Sequence, residues 1–187
     1  MRNLNSLNSP KIIELKRYGD HRGYFAETYS RSKYARMGIE AEFVQDNHSL
    51  SLDKDTLRGL HFQSPPHAQA KLVRCGRGSL FDVAVDIRRG SLTYGQWVGY
   101  ELSAKNGLQL YIPVGFAHGF ITLEPDSEII YKCTDYYAPE TEGSLRWDDP
   151  DLAVEWPLTG HPILSNKDFG APLFKDFESP FIWEGCQ

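Results

Sequence analysis

Residues 79–87, SLFDVAVDI, decide how this chain must be read. Phe81, Val83, Val85 and Ile87 fall on one face of an extended strand, and Asp82, Ala84 and Asp86 fall on the other. A helix groups residues three and four apart and would scatter this set, so the period of two identifies a β-strand. Turn residues bound it, with glycines at 76 and 78 before it and Gly90-Ser91 after it.

The same signal extends in both directions. Strands are expected over 12–15, 24–29, 42–50, 57–63, 70–75, 96–102, 108–112, 117–123 and 129–134. Turn segments separate them at 19–23, 53–55, Pro65-Pro66, Asn106-Gly107, 113–115 and Pro125-Asp126. One helix is expected over 31–37, capped by Ser30 and ended by Gly38. Beyond Tyr136 the chain turns rich in Pro, Asp, Glu and Trp, and reads as long loops and short helical pieces packed on the sheet by Trp147, Trp156, Phe174 and Trp183. Short strands at this spacing, with ten tyrosines, ten phenylalanines and four tryptophans for a core, indicate an all-β sandwich or barrel in one domain.

Composition limits function. A formal charge of -5 argues against a general nucleic-acid or anionic-membrane binder but leaves room for a basic pocket around a small anion. Cys75, Cys133 and Cys186 are odd in number and lack metal-ligand or disulfide spacing, which fits a reducing, cytoplasmic setting. The polar leader before Pro10 lacks the apolar core of a signal peptide, and no apolar run reaches the ~20 residues of a membrane span.

Chemistry concentrates in residues 57–73, LRGLHFQSPPHAQAKLV. Arg58, His61, Gln63, His67, Gln69 and Lys71 crowd a segment that packing alone would fill with apolar side chains. Strict alternation puts His61 and Arg58 on opposite faces unless Gly59 marks a bulge. A lone strand histidine is more often structural than catalytic, and a lysine at a strand edge is more often a snorkelling side chain. The surrounding segments change that balance. Gln45, Asn47 and Ser49 form a polar row at period two, His118 sits within YIPVGFAHGF (111–120), and Tyr131 shares a face with Ile129 and Cys133. A histidine, a lysine and a tyrosine around one cavity suit proton abstraction beside a carbonyl: base, enolate stabiliser and proton donor. Arg22 and Arg58, each beside a glycine, suit a phosphate. A metal-binding cupin would offer an H-x-H pair, which His61-Phe62-Gln63 lacks, and the Asp148-Asp149-Pro150-Asp151 cluster lacks an EF-hand pattern.

Read in order, DHRGYFAETY (20–29), FVQDNHSLS (43–51), LRGLHFQ (57–63), QAKLVRC (69–75), FDVAVDIRRGS (81–91), PVGFAHGF (113–120), YKCTDYYAPETE (131–142), WDDPDLAVEWPL (147–158) and ILSNKD (163–168) resemble the dTDP-4-dehydrorhamnose 3,5-epimerase family. The resemblance runs from about Ile12 to Asp168. It implies a cupin-like jelly-roll β-sandwich with a few short peripheral helices, working as a homodimer on a dTDP-sugar without metal or organic cofactor. It implies His61 as general base, Asp168 as its orienting partner, Tyr131 as general acid and Lys71 as enolate stabiliser. Arg22, Glu27, Gln45, Asp46, Asn47, Arg58, His118, Glu142 and Lys167 are implied substrate contacts, and Tyr137 is implied to stack on thymine. The family's R-x-x-SPTFG segment departs here to RRGSLTYG (88–95), with Leu92 and Tyr94 in a turn away from this chemistry. A single-carbon epimerase, a metal-dependent cupin enzyme and a non-catalytic sugar-binding jelly roll are the competing readings.

Overall fold

The computed structural model describes residues 8–183 and 185, so Cys186 and most of the polar leader lie outside the described residues. The strands, in chain order, are β1 (Lys11–Glu14), β2 (Arg17–Asp20), β3 (Gly23–Ala26), β4 (Gln45–Ser51), β5 (Leu57–Gln63), β6 (Lys71–Arg77), β7 (Ser79–Asp86), β8 (Trp97–Ser103), β9 (Leu108–Ile112), β10 (Phe116–Thr122), β11 (Ser127–Cys133) and β12 (Glu142–Ser144). Helix α1 (Arg31–Arg36) follows β3, and the single-turn α2 (Asn166–Phe169) follows β12. One five-stranded sheet runs β1-β9-β6-β11-β4 and a second runs β12-β5-β10-β7-β8. All their pairings are antiparallel, and the two sheets face each other as a jelly-roll sandwich. Among the described residues no helix is long and apolar enough to cross a membrane.

The interior between the sheets is filled by Val73, Cys75, Leu80, Ala84, Leu102, Leu110, Ile112, Phe116, Phe120 and Ile129. Both outer faces are covered as well. Tyr34 and Ile39, from α1 and its exit, pack with Ile13, Leu72 and Tyr111 on the first sheet. On the second sheet, Val83, Val85 and Ile87 are fully buried against Leu145, Leu152 and Phe181, with Trp156, Phe174 and Phe177 beside them. Burying each such aliphatic side chain stabilises by roughly 1.5–3 kcal/mol. The all-apolar face of β7 therefore lies under the C-terminal segment. Its mixed face, carrying Leu80, Asp82 and Ala84, is the one turned between the sheets.

Expected and observed elements differ at a few places. The turn expected over 19–23 is present at His21-Arg22 as the tip of a tight hairpin, in which Arg17 pairs with Ala26 and Asp20 with Gly23, and the strand β2 before it was not expected. The strand expected over 24–29 is correspondingly short. Ser30 occupies the N-cap of α1, but its side chain makes no capping hydrogen bond, and the helix ends one residue early. Gly38 follows at φ 76°, the left-handed conformation a helix exit commonly requires. Strand β12 was not expected. It adds to the edge of β5, pairing Glu142 with Gln63 and Ser144 with His61.

The alternation conflict in β5 resolves at a bulge. His61 pairs with His118 and Arg58 pairs with Phe120, so Gly59 and Leu60 together oppose the single residue Gly119. The extra residue returns Arg58 to the face of His61 and sends Leu60 and Phe62 outward to Leu145 and Phe181. Gly59 has φ +119°, and a Cβ there would lie 2.6 Å from Gly119 Cα and 2.7 Å from the His118 carbonyl oxygen. Only glycine fits.

Candidate active site

A cavity of about 220 Å³ opens at one end of the interior, lined by Gln45, Asn47, His61, Phe62, Gln63, Gln69, Lys71, Tyr131, Cys133, Tyr137 and Glu142. The two sheets contribute different chemistry to it. Strands β4, β6 and β11 are neighbours, with Tyr131 paired to Asn47 and to Val73, and Cys133 paired to Gln45 and to Lys71. The first sheet thus presents the phenol, the lysine and the polar row on one wall. His61 comes from β5 of the opposing sheet.

The imidazole is held from outside the sheets. His61 Nε2 lies 2.5 Å from Asp168 Oδ1, and Asp168 is 2% exposed. Asp168 occupies the third position of α2, whose N-cap is Ser165. The Ser165 hydroxyl accepts from the Asp168 backbone N–H at 3.1 Å and donates to Asp168 Oδ2 at 2.8 Å. Burial works to raise the Asp168 carboxyl, but hydrogen bonds from His61, Ser165 and the Gly59 backbone outweigh it and hold the pKa below the usual carboxylate value. Facing this ionised group, His61 keeps its proton on Nε2, which leaves Nδ1 as the basic nitrogen.

Lys71 and Tyr131 are shaped by desolvation. Burial lowers the Lys71 pKa, opposed by Cys133, Asp82 and Glu142. Burial raises the Tyr131 phenol, with Arg58 pulling it down, so the phenol keeps its proton at neutral pH. At the mouth, Glu142 Oε2 accepts from Lys167 Nζ at 2.6 Å and from the Tyr137 hydroxyl at 3.1 Å. Gln45 Oε1 accepts from the Tyr137 backbone N–H at 2.9 Å. Gln63 fixes the surrounding loops by donating to the carbonyls of His67 and Tyr136 and accepting from the Ala138 backbone N–H.

Of the side chains expected at a site, Gln45, Asn47, His61, Lys71, Tyr131, Tyr137 and Glu142 line the cavity; Asp168 and Lys167 reach it through His61 and Glu142. Arg58 lies within electrostatic reach of Tyr131 and donates to the Leu50 carbonyl. His118 sits behind the cavity, 6% exposed, with Nε2 2.7 Å from Asp82 Oδ1. Three others lie off the lining. Arg22 pairs with Asp20 in the β2–β3 hairpin, Glu27 pairs with Lys33, and Asp46 pairs with Lys132 on the outer face. His67, equally prominent in the sequence, is bonded to Asp135. Sequence reasoning gave no role to Asp82, although a carboxylate within the apolar β7 strand was the available signal. Among the described residues no three His, Cys, Asp or Glu side chains converge as a metal-ligating group.

The cavity brings a histidine–carboxylate pair on one side together with a tyrosine and a lysine on the other, and comparison with known proteins gives the class, an isomerase of the epimerase type. The chain belongs to the dTDP-4-dehydrorhamnose 3,5-epimerase family, whose model matches residues 5–176. It is 55% identical over 163 residues to the dTDP-4-dehydrorhamnose 3,5-epimerase of Salmonella typhimurium, covering 87% of this chain and 88% of that protein. Among solved structures, the dTDP-6-deoxy-D-glucose-3,5-epimerase of Legionella pneumophila, in complex with dTDP-4-keto-L-rhamnose, superposes with a TM-score of 0.91 at 49% identity and covers 94% of each chain. A 3'-monoepimerase from Streptomyces bikiniensis, in complex with dTDP-quinovose, superposes at 0.83 with 34% identity, covering 88% of this chain and 83% of that one.

Proposed function

We propose that the protein converts dTDP-4-dehydro-6-deoxy-D-glucose to dTDP-4-dehydro-L-rhamnose by inverting carbons 3 and 5. Both carbons flank the 4-keto group, so each C–H bond is acidified by the same carbonyl. His61 Nδ1 takes the carbon-bound proton, and Asp168 stabilises the imidazolium that forms. The electron pair moves onto the ketone oxygen, where the Lys71 ammonium stabilises the enolate. Comparable oxyanion donors contribute roughly 3 kcal/mol. Tyr131 then delivers a proton to the opposite face, which inverts the centre. The observation that carries this reading is the placement of His61 on one sheet and of Tyr131 and Lys71 on the other, around one cavity. Because Lys71 supplies the positive charge at the enolate, the scheme uses no metal or organic cofactor.

Recognition of the nucleotide falls to the mouth. Tyr137, 58% exposed, offers its ring for stacking on thymine, and Lys167 and Arg58 answer the diphosphate. Gln45, Asn47, Glu142 and His118 complete the polar surround of the sugar. Arg22, Glu27 and Asp46 enter this reading through a homodimer. The β2–β3 hairpin presents Tyr18, Tyr24 and Phe25 to solvent and keeps Arg22 off its own cavity, so Arg22 would meet substrate in a second copy.

A single-carbon epimerase is the second reading, favoured by the similarity to the Streptomyces 3'-monoepimerase. One experiment separates the alternatives: chelator-treated protein is incubated with the 4-keto sugar nucleotide in D₂O. Deuterium at carbons 3 and 5 supports the proposal. Deuterium at one carbon supports the monoepimerase, and exchange that requires added metal sinks the scheme in favour of a metal-dependent enzyme.

A further inference from the structure

The strongest unexplained feature behind the cavity is Asp82. It projects from β7 between the sheets, is 0% exposed, and uses Oδ1 to accept from His118 Nε2 at 2.7 Å. Its Oδ2 is one of two buried side-chain polar atoms without a hydrogen-bond partner among the described residues. A buried carboxylate costs several kcal/mol unless an opposite charge compensates it. Of the neighbouring cations, Arg58 donates to the Leu50 carbonyl, and Lys71 is the one on which Asp82 acts. Burial, the largest influence, lowers the His118 pKa, and Lys71 and His61 lower it further against the pull of Asp82, so His118 is neutral at pH 7. Lys71 remains, on the cavity wall.

The same question can be put from the lysine. The groups that act on Lys71 to keep it charged are Cys133 on β11, Asp82 on β7 and Glu142 on β12. Burial raises the Cys133 thiol, so at neutral pH it carries no charge. Glu142 is already neutralised by Lys167. His61, His118 and Tyr131 also border this space, and none supplies a negative charge at neutral pH. Asp82 is the one unneutralised anion in the set.

We infer that Asp82 is a positioning residue for epimerisation: its free carboxylate oxygen is the internal counter-charge that keeps Lys71 protonated and aimed into the cavity, while its other oxygen fixes His118 as the neutral Nε2–H tautomer. Asp82 is fully buried and does not line the cavity, so its effect passes through Lys71 and His118. The inference rests on the reading of Lys71 as enolate stabiliser, but the pairing can be tested apart from it.

Two measurements on purified full-length protein do so. The first is the pH profile of kcat for Asp82→Asn. Without the counter-charge Lys71 loses its proton at lower pH, so the basic limb shifts acidward by about one unit or more, with KM little changed. A basic limb within about 0.3 unit of the parent, in an active variant, overturns the inference, since a neighbouring charge is worth more than that. The second needs no activity: melting temperatures of the parent, Asp82→Asn, Lys71→Met and the double variant. Asp82→Asn should lower Tm in the parent, where it strips a lysine of its partner, and raise it in the Lys71→Met background, where it relieves a bare buried carboxylate. Each change should be about 3 °C or more. Additive effects of the two substitutions overturn the pairing whatever the enzyme catalyses. A coupled melt in a protein that exchanges no deuterium would leave the pairing standing and sink the proposed reaction.

Discussion

Replacing Asp168 by asparagine preserves shape and removes charge, so its cost can be worked from the geometry. In the parent, Asp168 Oδ2 accepts from the Ser165 hydroxyl at 2.8 Å while Oδ1 faces His61 Nε2 at 2.5 Å. The Gly59 backbone N–H is a further donor to this carboxylate. In the variant the serine keeps the amide oxygen on its side, which turns the amide NH₂ towards His61. Nε2 must then accept, the ring proton moves to Nδ1, and the nitrogen facing substrate is no longer basic. The loss of a positioned general base lowers kcat by ~10²–10⁴-fold, about 2.7–5.5 kcal/mol of transition-state stabilisation. Nucleotide affinity should hold, because the substitution leaves the Lys167–Glu142 and Tyr137–Glu142 contacts in place. The assay is the rate of deuterium entry from D₂O followed by NMR, with dTDP affinity measured by calorimetry. A thermal melt against pH checks the cause: the depressed Asp168 pKa contributes stability above the ordinary carboxylate pKa and loses it as pH falls through the folded value. The Tm difference between parent and variant should therefore narrow below about pH 4. A variant that exchanges deuterium within a few-fold of the parent would refute the tautomer argument.

Two further outcomes follow from the same geometry. Tyr131→Phe removes the proposed proton donor while leaving His61 in place, so deuterium should still enter the sugar with retained configuration, and inverted product should fall by ~10²–10⁴-fold; normal product formation on a chiral assay would contradict a donor role. Gly59→Ala places a methyl group 2.6 Å from Gly119 Cα at φ +119°, and should lower Tm by about 6 °C or more or prevent folding; a melt within about 2 °C of the parent would show that the bulge can relax.

Much of the architecture was legible because strand period and turn chemistry are local. The expected bounds of the fifth and ninth strands, 57–63 and 108–112, match β5 and β9. What period two cannot reveal is which face of a strand meets which layer. Phe81, Val83, Val85 and Ile87 pack against a C-terminal segment roughly 60 to 100 residues away, so the face that looks like an inter-sheet core is an outer one. The site divides in the same way. The density of polar residues around His61 and Lys71 was visible, and the glycine bulge was the natural way to reconcile Arg58 with His61. Asp168 lies 107 residues from His61, and no spacing rule joins them; their pairing was expected from family resemblance alone. Asp82 was given no role because alternation shows only that it shares a face with Ala84 and Asp86, not that this face is the buried one.

The account turns on His61 as the base, and deuterium exchange with His61→Ala tests that most directly. The variant is supplied with the 4-keto sugar nucleotide in D₂O, with dTDP affinity measured on the same preparation. The account predicts intact dTDP binding and a loss of exchange at carbons 3 and 5 of ~10²–10⁴-fold. Exchange at the parent rate, in a protein that still binds the nucleotide, would contradict it.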